Sequence, residues 1–128
     1  MPTLILTHNN QTIFSSNLQG LRSLYQLTQK YTDKLQNAQL YDKVVGLAAA
    51  KLIVYSQAIS EVTTEVCSQP ALDFLKIHNI GIKTKLVVQN ILTLDKKAIC
   101  PMELKAMEIV SPADFYKATK HHFLDSKT

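Results

Sequence analysis

The segment from Ala38 to Cys67 reads AQLYDKVVGLAAAKLIVYSQAISEVTTEVC. Its first residues, Ala38 to Tyr41, predict a short strand. Asp42 then predicts a helix start, because its carboxylate can accept free backbone amides. Apolar residues cover nearly the whole circumference of this helix, which runs to about Gln57, so we expect the helix to be buried. Its alanines would allow a close approach to a sheet.

A second strand follows the buried helix. From Glu61 to Cys67 the residues alternate, with Val62, Thr64 and Val66 on one face and polar residues on the other. A strand–helix–strand unit of this kind predicts parallel pairing of the two strands. The same alternation places Cys67 on the polar face, near the carboxyl edge of the sheet.

The rest of the chain predicts further strands and helices. The expected elements are a hairpin over residues 3–15 that turns at 8–10, a helix from Leu18 to Tyr31 capped by Asn17, a helix from Pro70 to His78 capped by Ser68, a strand from Ile82 to Gln89, an irregular segment from Asn90 to Ile99, a helix from Pro101 to about Val110, and a last helix from Ser111 to about Phe123. Together they predict an α/β fold with a mixed sheet of about five strands and helices on both faces.

Length and charge exclude several classes of protein. The chain has 128 residues, which predicts a single domain over 1–128. The net charge of +4 is spread evenly, with no basic run longer than Lys96-Lys97, so the sequence does not indicate a nucleic-acid footprint. Its most apolar segment, Val44 to Tyr55, is interrupted by Lys51 and is too short to span a membrane. We therefore expect a cytoplasmic protein, whose cysteines are free thiols.

Asp42, Lys43 and Gly46 form the first group that could carry chemistry. A lysine directly after a helix cap, beside free backbone amides, is typical of an anion site. Gly46, one turn later, could let a ligand or a strand approach closely. The alternative is an ordinary capped helix with a solvated lysine.

The second group is Cys100-Pro101-Met102-Glu103. Proline favours the first position of a helix, so Cys100 is expected at its cap, where a thiol is more readily ionised. Glu103 could reach back to the Cys100 amide as in a capping box, or act as an acid or base. The alternative for Cys100 is a half-buried structural cysteine.

Cys67 and Ser68, at the end of a strand, could line the same pocket, although a lone cysteine there more often only packs. His121 and His122 are adjacent and point to different sides of a helix, so we predict no metal site. Three glycines in the whole chain cannot form a glycine-rich phosphate loop. The residues indicate no cofactor.

Three segments together resemble a known family. The stretches Asp42 to Ala50 (DKVVGLAAA), Ser68 to Ala71 (SQPA) and Cys100 to Glu103 (CPME) are similar to an uncharacterised prokaryotic domain family of the cytidine deaminase-like superfamily. The resemblance covers nearly the whole chain. It implies a three-layer α/β/α sandwich, with a pocket where the helices at Asp42 and Pro70 begin.

The same resemblance implies that the catalytic zinc of deaminases is missing. The two zinc-binding cysteines of deaminases would fall at Ala71 and Phe74, which have no metal-binding atoms. Their histidine and glutamate would fall around residues 42–44. Hydrolytic deamination through a zinc-bound hydroxide is therefore not expected.

We expect a domain that binds a small nucleotide-like or nucleobase-like ligand through Lys43, Gly46, Cys67 and Ser68. One alternative is a metal-independent enzyme with Cys100 as nucleophile or redox centre, in which Asp42 and Glu103 assist. Another is a protein-interaction or assembly domain, for which a homodimer would be one arrangement. Membrane and nucleic-acid partners are not indicated.

Overall fold

The computed structural model describes residues 2–18, 20–92 and 97–125. Within these ranges the chain forms six strands and five helices. In chain order they are β1 (Leu4–His8), β2 (Gln11–Ser16), α1 (Arg22–Tyr31), β3 (Ala38–Asp42), β4 (Val44–Val45), α2 (Leu47–Ser56), β5 (Ile59–Ser68), α3 (Gln69–Ile77), β6 (Gly81–Val88), α4 (Pro101–Glu108) and α5 (Pro112–Asp125).

The strands form one mixed sheet. Strands β2, β1, β3 and β5 are neighbours in that order, and both β4 and β6 also pair with β5. The β1 strand is antiparallel to β2 and β3, whereas β5 is parallel to β3, β4 and β6. The class is α/β with a mixed sheet, as predicted, and its strands and helices are consistent with a three-layer α/β/α sandwich.

The opening hairpin matches its prediction in type and position. Asn9 and Asn10 both have positive φ values. This is the left-handed conformation that asparagine tolerates and that a tight hairpin turn requires. The hairpin brings β1 between β2 and β3, so the start of the chain forms an inner part of the sheet.

The α2 helix is the centre of the core, as its apolar circumference predicts. Ala50, Leu52 and Ile53 are completely buried. They belong to the same apolar cluster as Leu4 on β1 and Val62 on β5. All four other helices pack against α2, so it contributes little surface to solvent.

The predicted start of α2 is wrong. Asp42 ends β3 and does not cap the helix, which begins only at Leu47. The Lys43 amide donates to the Thr3 carbonyl at 2.9 Å, and the Lys43 carbonyl accepts the amides of Glu65 and Val66. The sheet therefore holds this part of the backbone on both sides, and the β-branched pair that follows Lys43 continues in strand β4.

The predicted position of Cys67 on the polar face is also wrong, since Cys67 is completely buried. Consecutive amides in a regular strand point to opposite neighbours, but Glu65 and Val66 both donate to the carbonyl of Lys43. This irregularity interrupts the alternation on which the prediction rested. Val62 and Thr64, before it, are buried as predicted.

Of two further predicted helix caps, one is confirmed and the other is wrong. Ser68 caps α3, since its Oγ accepts the Ala71 amide at 3.3 Å. Asn17 does not cap α1, whose N-cap residue is Leu21. The segment before α1 is held as a loop because the Leu18 carbonyl accepts the Thr3 hydroxyl, and Gly20 has a positive φ that a helix excludes.

Residues 93–96 of the predicted irregular segment, which include Lys96 of the basic pair, lie outside the described residues. On either side of them, Leu92 and Ile99 form an isolated antiparallel bridge. In the described part of the chain, none of the helices has the length and apolar character needed to cross a membrane.

Candidate functional site

A cavity of about 340 Å³ lies where β3 ends and where α2 and α4 begin. Its size is that of a small-molecule pocket. Five of the seven predicted site residues line it, namely Asp42, Lys43, Gly46, Cys100 and Glu103. Most of the remaining wall is apolar and includes Leu18, Leu21, Ala48, Ala49, Ile91 and Met102.

The other two predicted site residues, Cys67 and Ser68, are not among the residues that line the cavity. The Cys67 thiol is completely buried and donates to the Ser68 carbonyl at 3.4 Å. Burial, with the nearby charge of Glu103, raises the pKa of Cys67 to about 11, so the thiol stays protonated at neutral pH. Ser68 is occupied as the cap of α3.

Glu103 is bound in a different way from the predicted capping box. Its Oε1 accepts the Leu47 amide at 2.8 Å, and its Oε2 accepts the Ala48 amide at 2.6 Å. The carboxyl group therefore caps α2, whose own N-cap residue, Gly46, has no side chain to do so. The Cys100 amide donates to the Ile91 carbonyl and is not bound by Glu103.

Opposing effects act on the Glu103 carboxyl. Burial raises its pKa, while the hydrogen bonds from Ala48 and Leu47 lower it. Its side chain is 4% exposed, and both carboxyl oxygens bind backbone amides of α2. Glu103 thus lines the cavity mainly as a structural group that fixes α4 against the start of α2.

Gly46 is required by this contact. A Cβ atom at position 46 would lie 1.6 Å from Glu103 Oε1 and 2.7 Å from Ile91 Cγ1. A glycine that permits close approach was expected here, and in the structure the approaching group is the Glu103 carboxyl. The backbone at Gly46 is extended, with a negative φ, so the glycine is needed for space and not for conformation.

Asp42 is the second carboxyl in the wall. It is half-buried, and burial raises its pKa to about 8 against the opposing effect of hydrogen bonds from the Val44 and Lys43 amides. At neutral pH this carboxyl is mainly protonated. It can therefore both donate and accept a hydrogen bond.

Lys43 lies at the bend between β3 and β4, with an exposed side chain. The helix-start argument for an anion site no longer applies to it, since α2 begins only at Leu47. Lys43 nevertheless brings a positive charge to the edge of a largely apolar cavity.

Cys100 is the N-cap residue of α4, as predicted, with Pro101 at the first helical position. Its side chain makes no capping hydrogen bond and is half-buried. Both cysteines are free thiols. Of the two, only Cys100 lines the cavity.

Sequence reasoning missed Lys51, a buried residue in the middle of α2. Its Nζ donates to the carbonyls of Ala106 and Ile109, at the end of α4, and lies 5.8 Å from the centre of the Phe74 ring. Burial lowers its pKa. The only sequence signal was a lysine inside an otherwise apolar helix, and it did not reveal which carbonyls the ammonium group would bind.

The residues present do not fit a deaminase zinc. Ala71 and Phe74, where the resemblance puts the zinc-binding cysteines, lie on α3 and offer no ligand atoms. Of residues 42–44, Asp42 alone has a side-chain oxygen. No three histidine, cysteine, aspartate or glutamate residues group as a metal site in the described ranges.

The fold and the cavity define a small α/β domain with a mainly apolar pocket beside the start of its central helix. The family model of the TM1506 domain, a domain of unknown function (DUF1893), matches residues 2–123. The chain therefore belongs to the DUF1893 family.

A solved structure supports the fold. The crystal structure of a DUF1893 family protein, TM1506 from Thermotoga maritima, superimposes with a TM-score of 0.86 at 23% sequence identity. The match covers 94% of this chain and 80% of the other. A search of the curated proteins gave no match.

Proposed function

We propose that this protein binds a small nucleotide-like or nucleobase-like ligand in the cavity between β3, α2 and α4. The observation that carries the proposal is the composition of the wall. The cavity has a volume of about 340 Å³, and its mainly apolar wall contains a few polar side chains, Asp42, Lys43 and Cys100 among them. Small-molecule sites are typically built in this way, from an apolar surface with a few placed polar groups.

Each part of the wall has a role in this proposal. The apolar residues would contact the faces of a planar ring. Lys43 would bind an anionic substituent, such as a phosphate, at the edge of the cavity. Gly46 would act indirectly, because the space above it is filled by the Glu103 carboxyl.

The test is a thermal-shift screen of the purified protein against nucleoside monophosphates, nucleosides and free bases. A ligand that binds only the folded state raises the melting temperature. We expect at least one nucleotide to do so, with a shift that is lost in Lys43→Ala and retained in Cys100→Ala.

Lys117→Ala is the matched control, since Lys117 is an exposed lysine on α5 that does not line the cavity. It should keep the full shift. A complete panel without any shift would reject the proposal, as would equal shifts in the Lys43→Ala variant and the wild type.

A second candidate function is a metal-independent enzyme with Cys100 as nucleophile or redox centre. The observation in its favour is that the Cys100 thiol and the Asp42 carboxyl line one cavity. Glu103 is a positioning group in this version, since both of its oxygens bind α2. Iodoacetamide labelling between pH 5 and 9 tests it, and labelling of Cys100 no faster than that of a model thiol at pH 7 would argue against it.

We also propose that the fold belongs to the cytidine deaminase-like superfamily without its zinc, and that the protein acts in the cytoplasm. The alternation of strands and helices from β3 to β6, with Ser68-Gln69-Pro70-Ala71 at the start of α3, supports the first part. Elemental analysis of purified protein should find no stoichiometric zinc. One tightly bound zinc per chain would contradict it.

A further inference from the structure

Asp42 occupies a distinctive place in the cavity. Along β3, Ala38 and Leu40 are buried and Gln39 between them is exposed, so even-numbered residues face the core. Asp42 continues this buried face at the last position of the strand, opposite Leu4 of β1. Its carboxyl is thus presented to the cavity from the core face of the sheet.

Asp42 has no cationic partner within salt-bridge distance in the described part of the chain. Among the described residues, the titratable groups that share the cavity with it are Lys43, Cys100 and Glu103, and the last of these is bound to α2. Tyr41, its neighbour on β3, donates its hydroxyl to Glu65. The Asp42 carboxyl accepts hydrogen bonds from the Val44 and Lys43 amides, and its remaining hydrogen-bonding capacity is available to a ligand in the cavity.

We propose that Asp42 selects the ligand by a paired hydrogen bond, and that the ligand is an uncharged ring with an N–H donor next to a carbonyl acceptor. The amide-like edge of uracil is an example. This inference rests on the proposed ligand-binding function and specifies the class of ring that the cavity accepts.

The selectivity follows from the hydrogen-bonding capacity of the carboxyl group. A protonated carboxyl offers one donor and one acceptor side by side, which complements an amide edge. An ionised carboxylate only accepts, and it would instead prefer an edge with two donors. Burial favours the protonated form at Asp42, where the pKa is about 8.

The experiment is isothermal titration calorimetry at pH 6 with uridine 5′-monophosphate and its N3-methyl derivative. Methylation removes the N–H donor and leaves the rest of the ligand intact. We expect the methylated ligand to bind the wild type at least about tenfold more weakly, because a buried polar group loses its partner. The Asp42→Ala variant should bind uridine monophosphate more weakly than the wild type by a similar factor, and should bind the two ligands with equal affinity.

A pH series separates this role from simple packing. A carboxyl with a pKa of about 8 is about one quarter protonated at pH 8.5, so the Kd of the wild type should rise about fourfold between pH 6 and pH 8.5. Asp42→Asn keeps a donor and an acceptor at every pH, and its Kd should not show this rise. A pH effect shared equally by both proteins would have a source other than Asp42, and would contradict the role of Asp42.

The outcomes are distinct. Equal binding of the two ligands by the wild type, or unchanged binding in Asp42→Ala, would overturn the role of Asp42 and leave the ligand-binding proposal in place. The same follows if uridine monophosphate does not bind while another nucleotide does. If no nucleotide of the panel binds at all, the proposed function itself fails.

Discussion

Two short segments of this chain, Asp42-Lys43 and Cys100-Pro101, both predict a helix start with an acidic group close by. The second is a helix start and the first is not. Sheet hydrogen bonds to Thr3, Glu65 and Val66 hold the backbone at Lys43, so α2 begins later, at a glycine without a capping side chain. Its first amides are bound instead by Glu103, two residues after the other segment.

The two kinds of helix start differ in whether the acceptor for the first amides comes from an adjacent residue or from a distant one. Every helix leaves amides at its start that need acceptors. Ser68 serves α3 from within the same turn, whereas the acceptor of α2 lies 56 residues away from Leu47. The first solution can be predicted from adjacent residues, and the second cannot.

The largest effect is expected from Gly46→Ala. The new Cβ would overlap Glu103 Oε1 and Ile91 Cγ1, so α4 or the start of α2 must shift. We expect a loss of about 4 kcal/mol in the free energy of unfolding, measured by urea denaturation. In the double variant Gly46→Ala/Glu103→Ala the two losses should be less than additive, because the closest overlap, with the Glu103 carboxyl, is then removed. Additive losses would show that the two positions do not interact.

Glu103→Ala should be the next most destabilising change, by about 3 kcal/mol, because the buried Ala48 amide and the partly buried Leu47 amide lose their acceptor. Chemical denaturation measures it. The control is Glu108→Ala, which removes an exposed carboxylate from the same helix. Surface substitutions of this kind leave stability nearly unchanged. If the two variants were equally stable, the distant cap would contribute nothing.

Lys51→Met tests the other end of the contact between α2 and α4. Methionine keeps an unbranched side chain of nearly the same length but leaves the carbonyls of Ala106 and Ile109 without their donor. We expect a loss of about 2 kcal/mol. Lys117→Ala again serves as control, and a Lys51→Met variant as stable as the wild type would show that the ammonium group only compensates for its own burial.

The smallest effect is the pH dependence contributed by Asp42. Its pKa of about 8 in the folded state lies above the ordinary value of 3.8, so the folded state retains a proton that the unfolded state loses. The stability from this group is complete below pH 4 and is lost as the pH rises through 8. Between pH 7 and pH 9, where the folded state loses this proton, we expect the free energy of unfolding to fall by about 1 kcal/mol. Denaturation curves at several pH values measure it, and parallel pH profiles for the wild type and Asp42→Asn would contradict it.

Much of the fold could be predicted because its signals are local. Asn9-Asn10 specifies a hairpin turn, Ser68 caps its own helix, and the apolar circumference of α2 requires burial. The errors at Asp42 and Cys67 have one source, the hydrogen bonds of Lys43 with neighbouring strands. Pairing between strands overrides a local helix signal, and nothing in residues 42–46 alone reveals it.

The candidate site was predicted in part for the same reason. The sequence places Asp42, Lys43 and Cys100 at ends of elements and Gly46 one turn further on, and such ends meet at one side of an α/β sheet. Cys67 was misplaced by a parity argument that fails at the strand irregularity. The roles of Glu103 and Lys51 depend on hydrogen bonds between α2 and α4, which lie far apart in the sequence. No local sequence pattern indicates such hydrogen bonds.

The hydrogen bonds that join α2 and α4 also affect the order in which this chain can acquire its structure. Leu47 and Ala48 are synthesised before Glu103, which carries their acceptor. Until then the central helix has an incomplete start and the cavity lacks one wall. We expect a nascent chain without α4 to form the hairpin and no ligand site, so that ligand binding appears only after α4 has been made.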